Sequence, residues 1–224
     1  MTYSLLVNEI FNSIDGEGIR TGLPVTFIRL AGCNLNCKYC DTTYAQQINQ
    51  GTEWTIQQVI NKIEYRAITL TGGEPLTQRQ GVIALLQALN NRGDYQVNIE
   101  TNGSIDISPF VIPVRAGGGF FTLDYKCLCS GETRKMLESN YALLDSNDVL
   151  KFVVGCEQDI ELVDTFITNH SNLKCHLFIS PCFGQIDNEY LVSQVMQLQK
   201  RHNKDIRFQL QLHKIIWDPE RRGV

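Results

Sequence analysis

Val25-Thr26-Phe27-Ile28-Arg29-Leu30 is an apolar run that leads, after two small residues, into the polar stretch Cys33-Asn34-Leu35-Asn36-Cys37-Lys38-Tyr39-Cys40. The run has the length and composition of a strand, and the polar stretch after it is typical of a loop. A 4Fe-4S cluster has four irons, for which cysteine thiolates are the usual protein ligands. The spacing therefore predicts a cluster held by Cys33, Cys37 and Cys40, with one iron free for a substrate or cofactor.

Two other uses of these cysteines stay open from the residues alone. A structural zinc site usually takes four protein ligands, so it would need a further Cys or His from elsewhere in the chain. A disulfide would pair two of the cysteines and leave one free thiol. The spacing favours the iron-sulfur cluster over both.

Composition limits the classes of partner. The chain of 224 residues has 20 Lys and Arg against 24 Asp and Glu, a formal net charge of -4. This gives no support for strong attraction to nucleic acid or to an anionic membrane. The sequence shows neither a basic and apolar leader nor an apolar segment of membrane-spanning length, so we expect a cytoplasmic protein. In a reducing compartment its cysteines favour metal binding or burial, and Cys127 with Cys129 is a weak candidate for a second cluster.

Strand-like runs alternate with segments of helical period, which is the pattern of βα units on a parallel sheet. A full eight-unit βα barrel takes about 250 residues. We therefore predict one α/β domain over residues 1–224, a partial, incomplete TIM-type barrel that is reduced in helices. The predicted strands are Val25–Leu30, Ala67–Leu70, Gln96–Glu100, Phe120–Asp124, Val149–Val154, Cys175–Ser180 and Ile206–Leu210. The predicted helices are Thr55–Ile63, Gln80–Asn90, Glu157–Thr168 and Glu189–His202, the last capped by Asp187, and Pro113–Gly119 is expected to replace a missing helix.

The Cys-x3-Cys-x2-Cys spacing after a first strand, with Tyr39 before the last cysteine, resembles the signature of the radical S-adenosylmethionine (SAM) superfamily. The resemblance implies that SAM chelates the free iron and that an electron from the cluster cleaves it to a 5′-deoxyadenosyl radical. It also implies that the cluster and SAM lie at the carboxyl ends of the barrel strands.

A second motif, Thr71-Gly72-Gly73-Glu74-Pro75, resembles the segment that binds the SAM amino group in this superfamily. Its glycines would let the backbone approach a ligand, and Glu74 would offer a carboxylate to an ammonium. The resemblance implies that SAM is held by Tyr39, Cys40, Asp41, Gly72, Gly73, Glu74, Glu100, Thr101, Asn102, Asp124, Tyr125 and Lys126. Without the resemblance, the glycine motif and Asn102 belong to ordinary turns and Lys126 is a solvated lysine. Lys151 lies inside an apolar run and needs a partner if it points inward.

Three further segments narrow the resemblance to the 7-carboxy-7-deazaguanine synthase family of the queuosine precursor pathway. They are Ile14-Asp15-Gly16-Glu17-Gly18, Arg29 to Thr42 around the cysteines, and, near the end, His213 together with Trp217 to Val224. The resemblance implies ring contraction of 6-carboxy-5,6,7,8-tetrahydropterin to 7-carboxy-7-deazaguanine with loss of ammonia. It also implies a Mg2+ ion at Thr42, a flavodoxin or ferredoxin as electron donor, and a homodimer. The implied substrate contacts are Ile14, Asp15, Gly16, Glu17, Arg29, Thr71 and His213.

The resemblance implies that Arg29 binds the substrate carboxylate and that Glu17 accepts hydrogen bonds from the pterin. The alternatives are a mutual Glu17–Arg29 ion pair, a helix cap at Thr42, and a surface position for His213. Two rival functions also remain at this point. One is an activase of a glycyl-radical enzyme, which has the same cysteine spacing, and the other is a zinc-stabilised binding module without enzymatic activity.

Overall fold

Nine strands form one open sheet in the computed structural model, which describes residues 3–224. The strands are β1 (Ser4–Ile14), β2 (Pro24–Leu30), β3 (Thr52–Thr55), β4 (Ala67–Gly72), β5 (Gln96–Thr101), β6 (Phe120–Tyr125), β7 (Val149–Val154), β8 (His176–Pro181) and β9 (Ile206–Phe208). The α-helices are α1 (Ile56–Ile60), α2 (Arg79–Arg92), α3 (Ser108–Ala116), α4 (Glu157–Asn169), α5 (Asn188–His202) and α6 (His213–Ile216).

The strand order is β3-β1-β2-β4-β5-β6-β7-β8-β9. β1 pairs in antiparallel fashion with β2 and with β3, whereas every neighbouring pair from β2 to β9 is parallel. The sheet starts with a hairpin and continues as βα units without closing on itself. The prediction of a partial barrel is therefore confirmed. Within residues 3–224, the helices are all too short or too polar to cross a membrane.

The two faces of the sheet differ in polarity because side chains alternate along each strand. One face packs against the helices and carries the apolar core, for example Ile99, Leu123 and Phe152. The other face is concave and carries buried polar side chains. These are Thr69, Asn98, Thr122, Lys151 and Ser180. The inner face of the partial barrel is therefore suited to polar ligands.

The sequence located most elements well. Each predicted strand begins and ends within two residues of an observed strand, and the same holds for α2, α4 and α5. The Asp187 side chain accepts a hydrogen bond from the Tyr190 backbone nitrogen at 2.8 Å, which confirms the predicted cap of α5. The predicted helix Thr55–Ile63 is shorter in the structure, because the chain leaves the helix at Asn61 after the capping box of Thr55 and Gln58.

The prediction of a missing helix at Pro113–Gly119 was wrong. The segment from Ser108 to Ala116 forms α3, and Pro113 lies inside it with its carbonyl oxygen accepting from Asn90 Nδ2 at 2.8 Å. Gly118, with a φ of +66°, lies in the turn that follows the helix. The reduced connection is instead the one between β6 and β7, which holds only short 3-10 turns.

The two glycines of the Gly72-Gly73 motif let β4 pack against the start of the cysteine loop. Gly72 has a φ of +154°, and a side chain there would overlap the carbonyl oxygen of Leu30. A Cβ at Gly73 would lie 2.5 Å from the carbonyl oxygen of Gly32. The Gly73 and Glu74 backbone nitrogens donate to Leu30 and Gly32 at 3.0 and 2.8 Å, so the two segments are fixed to each other.

Replacing Gly73 by Ala should lower the free energy of unfolding by about 1–3 kcal/mol, because the added methyl group must push the cysteine loop away. The measurement is urea unfolding of the cluster-free protein. Gln199→Ala on the exposed side of α5 is the control and should change stability by less than about 0.5 kcal/mol. Equal stabilities for Gly73→Ala and the wild type would contradict the tight backbone contact.

Candidate active site

A cavity of about 510 Å³ opens at the carboxyl ends of the parallel strands. Its wall contains side chains from the loops after β1, β2 and β4 and from the ends of β5, β6 and β7. It brings together most of the predicted site residues, which are Ile14, Gly16, Glu17, Arg29, Cys33, Cys37, Tyr39, Cys40, Asp41, Thr42, Thr71, Gly72, Gly73, Glu100, Thr101, Asn102, Asp124, Lys126 and His213. The side chains of Asp15, Glu74 and Tyr125 lie elsewhere.

The three cysteines of the loop after β2 are free thiols, each half-buried at the cavity wall. The loop is anchored where the Cys33 backbone nitrogen donates to the Gln46 carbonyl oxygen at 2.8 Å. The Cys33 sulfur accepts hydrogen bonds from the Leu35 nitrogen at 3.5 Å and from Asn102 Nδ2 at 3.8 Å. Burial raises the pKa of the Cys37 thiol to about 11, so metal binding must displace its proton.

These residues fit a 4Fe-4S cluster better than a single ion. Within residues 3–224, no three Cys, His, Asp or Glu side chains converge as ligands of one metal ion. A cubane cluster does not need that convergence, because each cysteine can bind a different iron. Cys127 is packed in the core, and the backbone nitrogen of Cys129 donates to Asp159 Oδ1 at 3.1 Å, so neither belongs to this loop.

Glu74 is a fully buried carboxylate below the cavity wall. Its Oε1 accepts from the Leu76 nitrogen at 3.0 Å and from Thr101 Oγ1 at 2.9 Å, and its Oε2 accepts from the Asn102 nitrogen at 2.6 Å. The carboxylate thus ties the turn after β4 to the end of β5. The carboxylate does not reach the cavity wall, where the sequence predicted a contact with the SAM ammonium, because it is fully buried behind that wall.

Tyr125 faces the helices rather than the cavity. Its ring packs against Tyr141, Phe152 and Phe166, with centroids 6.2, 5.3 and 4.8 Å away. Alternation along β6 explains this, because Asp124 and Lys126 point inward and the residue between them must point outward. The predicted side-chain contact of Tyr125 with SAM is therefore corrected to a core position.

Asp15 lies deeper than the substrate contact that the sequence predicted. Its carboxylate pairs with Arg20 Nε at 2.8 Å and accepts from Thr69 Oγ1 at 2.7 Å. Arg20 also donates to the carbonyl oxygens of Ile68 and Gln96 at 3.0 and 3.1 Å, which lie where β4 and β5 begin. Burial raises the pKa of Asp15 although Arg20 opposes it. The pair closes the amino end of the sheet.

Arg29 reaches the cavity beside an aromatic wall. Its Nε donates to Glu9 Oε1 at 2.7 Å, and the hydroxyl of Tyr44 donates to the same oxygen at 3.1 Å. The guanidinium carbon lies 5.7 Å from the Phe11 ring centroid and 5.8 Å from that of Tyr44. Glu9 faces Arg29 across the β1–β2 hairpin. The alternative of a Glu17–Arg29 ion pair is therefore wrong.

Glu17 is held instead by groups from the far side of the barrel. Lys151 Nζ and Gln211 Nε2 both donate to its Oε2 at 3.3 Å, and Ser180 Oγ donates to its Oε1 at 3.3 Å. Lys151 Nζ lies 3.1 Å from Asp124 Oδ1, whose other oxygen pairs with Lys126 at 2.9 Å. Lys151 therefore points inward and pairs with two carboxylates, those of Glu17 and Asp124.

Thr42 and His213 complete the predicted set. Thr42 Oγ1 donates to Asp41 Oδ1 at 2.9 Å, and the 3-10 turn that follows has no side-chain cap, so the alternative of a helix cap is wrong. His213 is the first residue of α6 and lies half-buried against Gly16, on the cavity wall. Burial lowers the pKa of its imidazole, which favours the neutral ring.

Comparison with known proteins identifies the family. A family profile described as a 4Fe-4S single cluster domain matches residues 14–106. The 7-carboxy-7-deazaguanine synthase of Clostridium acetobutylicum is 40% identical to this chain over the whole of both proteins. The synthase of Chlorobaculum tepidum is 37% identical to this chain, and the match covers 98% of this chain and 97% of the synthase.

The chain belongs to the 7-carboxy-7-deazaguanine synthase family. The prediction of this family is confirmed, and both rival functions, the glycyl-radical activase and the zinc module, are disfavoured. The crystal structure of QueE from Escherichia coli superposes with a TM-score of 0.72 at 20% identity, covering 94% of this chain and 95% of that one. That likeness supports the fold.

The sequence reasoning missed several residues of this site or left them without a role. Those on the cavity wall are Tyr44 beside Arg29, Lys151 and Gln211 beside Glu17, and the terminal residues Pro219 to Val224. The guanidinium carbon of Arg222 lies 3.8 Å from the Tyr44 ring centroid. Glu9 is not on the wall but binds Arg29 and Tyr44. The hairpin register could have indicated Glu9, because it places an acid opposite Arg29. The others come from distant parts of the chain, and no local pattern marks them.

Glu100 makes the stability of this family member depend on pH. Its burial raises the pKa from 4.5 to about 7, although the ammonium of Lys151 opposes the shift. A carboxylate whose pKa is raised by folding stabilises the folded state below its unfolded pKa, and this contribution is lost as pH rises through the folded value. Ionised Glu100 therefore weakens the fold above neutral pH.

Glu100→Gln should become more stable relative to the wild type as the pH rises. The difference between their free energies of unfolding should change by about 1–3 kcal/mol, in favour of the variant, from about pH 5 to about pH 8. Urea unfolding of the cluster-free protein at both pH values measures this difference. Glu161→Gln on the exposed side of α4 should follow the wild type at both values. The same pH dependence in Glu100→Gln as in the wild type would contradict the raised pKa.

Proposed function

We propose that the protein is a 7-carboxy-7-deazaguanine synthase, which converts 6-carboxy-5,6,7,8-tetrahydropterin to 7-carboxy-7-deazaguanine with release of ammonia. The observation that carries the proposal is the 40% identity to the Clostridium acetobutylicum synthase over the full length of both chains. The cavity agrees with it, since the three-cysteine loop, the Arg29 side chain and the polar inner face of the sheet meet in one space.

The cysteine loop would hold the 4Fe-4S cluster through Cys33, Cys37 and Cys40. Bound together, the cluster and SAM supply the radical chemistry that takes hydrogen from the substrate. The SAM contacts would be Tyr39, Cys40, Asp41, Gly72, Gly73, Glu100, Thr101, Asn102, Asp124 and Lys126, all of which line the cavity. Glu74 would act from behind, because it fixes the backbone of Asn102.

The substrate would lie between the first hairpin and the end of the chain. Arg29 is oriented through its Nε by Glu9, which leaves its terminal nitrogens to form paired hydrogen bonds with the substrate carboxylate. Glu17 is fixed by three donors and would accept hydrogen bonds from the pterin ring. Ile14, Gly16, Thr71 and His213 would complete the wall. This arrangement restricts how the substrate can move during rearrangement.

A Mg2+ ion is part of the proposal, with Thr42 as its protein contact. Its hydroxyl lies 2.9 Å from the Asp41 carboxylate at the cavity wall, which makes a small polar corner. Substrate oxygens and waters would supply the remaining ligands, as is usual for magnesium. A homodimer, a flavodoxin or ferredoxin as electron donor, and a single domain over residues 1–224 stay predictions.

Anaerobic reconstitution tests the function. Protein incubated with SAM, Mg2+, dithionite and the tetrahydropterin should release ammonia and 7-carboxy-7-deazaguanine, detected by mass spectrometry. Cys33→Ala should lose both the EPR signal of the reduced cluster and the product, because it removes a ligand. Cys175→Ala, at the amino end of β8, is the matched control and should keep both. SAM cleavage without a deazaguanine product would refute the assigned substrate.

Arg29→Ala should weaken binding of the pterin about 10- to 100-fold, because it removes charge-assisted hydrogen bonds to the carboxylate. SAM cleavage should remain measurable. The measurement is titration of the tetrahydropterin into protein loaded with the cluster and SAM. Arg92→Ala, at the exposed end of α2, should bind as the wild type does, and an unchanged affinity in Arg29→Ala would remove the proposed clamp.

A further inference from the structure

Two arginine side chains lie against the ring of Tyr44 on the cavity wall. The guanidinium carbon of Arg29 is 5.8 Å from the ring centroid, and that of Arg222 is 3.8 Å from it. Both arginines and Tyr44 line the same cavity. Burial raises the pKa of Tyr44, and both guanidinium groups oppose this shift. The first hairpin and the end of the chain thus each bring one cation to the same ring.

The charges of the two arginines are balanced differently. Arg29 Nε lies 2.7 Å from Glu9 Oε1, so this pair is formally neutral. Within residues 3–224, no carboxylate lies within ion-pair distance of Arg222. The positive charge of Arg222 is therefore not offset by an ion pair.

A carboxylate in this part of the cavity needs more positive charge than the Arg29–Glu9 pair provides. The guanidinium attracts it, but the Glu9 carboxylate beside that guanidinium repels it. Moving an anion from water into a cavity is costly unless positive charge compensates it. Arg222 lies on the same wall and supplies the charge that the pair lacks.

Contacts around α6 fix the segment that carries Arg222. Lys214 Nζ in this helix pairs with Asp41 Oδ2 at 2.7 Å. After the helix the chain turns at Asp218, whose carbonyl oxygen accepts from the Arg221 backbone nitrogen at 2.9 Å. The position of Arg222 is therefore set by the fold as well as by its contact with the aromatic ring.

We propose that Arg222 is a second contact for the substrate carboxylate and determines specificity for it together with Arg29. Arg29 provides paired hydrogen bonds, and Arg222 provides the net positive charge of the site. Tyr44 is a positioning residue in this arrangement, because its ring packs against Arg222 and its hydroxyl donates to Glu9. The inference rests on the proposed function and adds a specificity-determining residue to its substrate site.

The test compares two ligands that differ in the charge of one substituent. 6-Carboxypterin keeps the carboxylate but has no hydrogen at C6, so it binds without reacting. 6-Hydroxymethylpterin carries a neutral group at the same carbon. Each ligand is titrated by calorimetry into protein loaded with the cluster and SAM, without reductant and at one fixed concentration of Mg2+.

Arg222→Gln should weaken binding of 6-carboxypterin about three- to tenfold and change binding of 6-hydroxymethylpterin by less than about twofold. Arg222→Lys keeps the charge and should restore most of the lost affinity, whereas Arg222→Glu should lose more affinity than Arg222→Gln. Arg207 is the matched control, because its guanidinium carbon lies 5.6 Å from the Phe178 ring centroid and its side chain is not on the cavity wall. Arg207→Gln should bind both ligands as the wild type does.

Equal weakening of both ligands in Arg222→Gln would overturn the proposal, because Arg222 would then only hold the end of the chain in place. Unchanged binding of 6-carboxypterin would overturn it too, and so would an equal loss in Arg207→Gln, since net charge alone would then explain the effect. Failure of the proposed function has a different outcome, namely no deazaguanine product from the wild type with dithionite, whereas these titrations are made without turnover.

Discussion

The fold depends on ion pairs between the charged side chains that are buried on the concave face of the sheet. An unpaired ion in such a place is costly, and each buried cation here meets a carboxylate. Arg20 pairs with Asp15 at the amino end of the sheet, and Lys151 pairs with Asp124 and Glu17 nearer the cavity. The first pair closes the barrel floor and the second shapes the space above it. Because side chains alternate along each strand, the same residues leave the opposite face free for an apolar core.

The polar residues of the site divide into those that line the cavity and those that hold the first kind in place. Gly72 and Gly73 do both, since they line the cavity and permit the backbone contact with the cysteine loop. Glu74 works only from below, through the backbone of Asn102. Glu9 stands in the same relation to Arg29. The residues that line such a site are oriented by hydrogen bonds from residues that do not contact the ligand. Precise catalytic geometry needs this support.

The sequence predicted the parallel strands because their apolar runs and their spacing are local features. The family resemblance implied most of the residues that line the cavity, and the fold explains why they meet, since strand ends and the loops after them lie at one edge of a parallel sheet. The sequence failed at Tyr125 because a run of three polar or aromatic residues does not reveal which one faces outward until the strand register is known. It misplaced the missing helix because the segment Pro113–Gly119 does not show by itself that a helix precedes it, and the short helix α3 accommodates Pro113. It could not find Gln211 beside Glu17, since that contact joins the two ends of the chain.

The two sides of the cysteine loop contact different parts of the chain. Its inner side lines the cavity, whose wall includes the last residues of the chain, with Arg222 lying over Tyr44. Its outer side meets the segment after β6, where solvent is close. Backbone hydrogen bonds therefore hold the loop from both sides, from Cys33 to Gln46 and from Lys38 to Ser130. The positions of the three cysteines are fixed by these contacts before any ligand binds, because the contacts use backbone atoms and leave the thiols free.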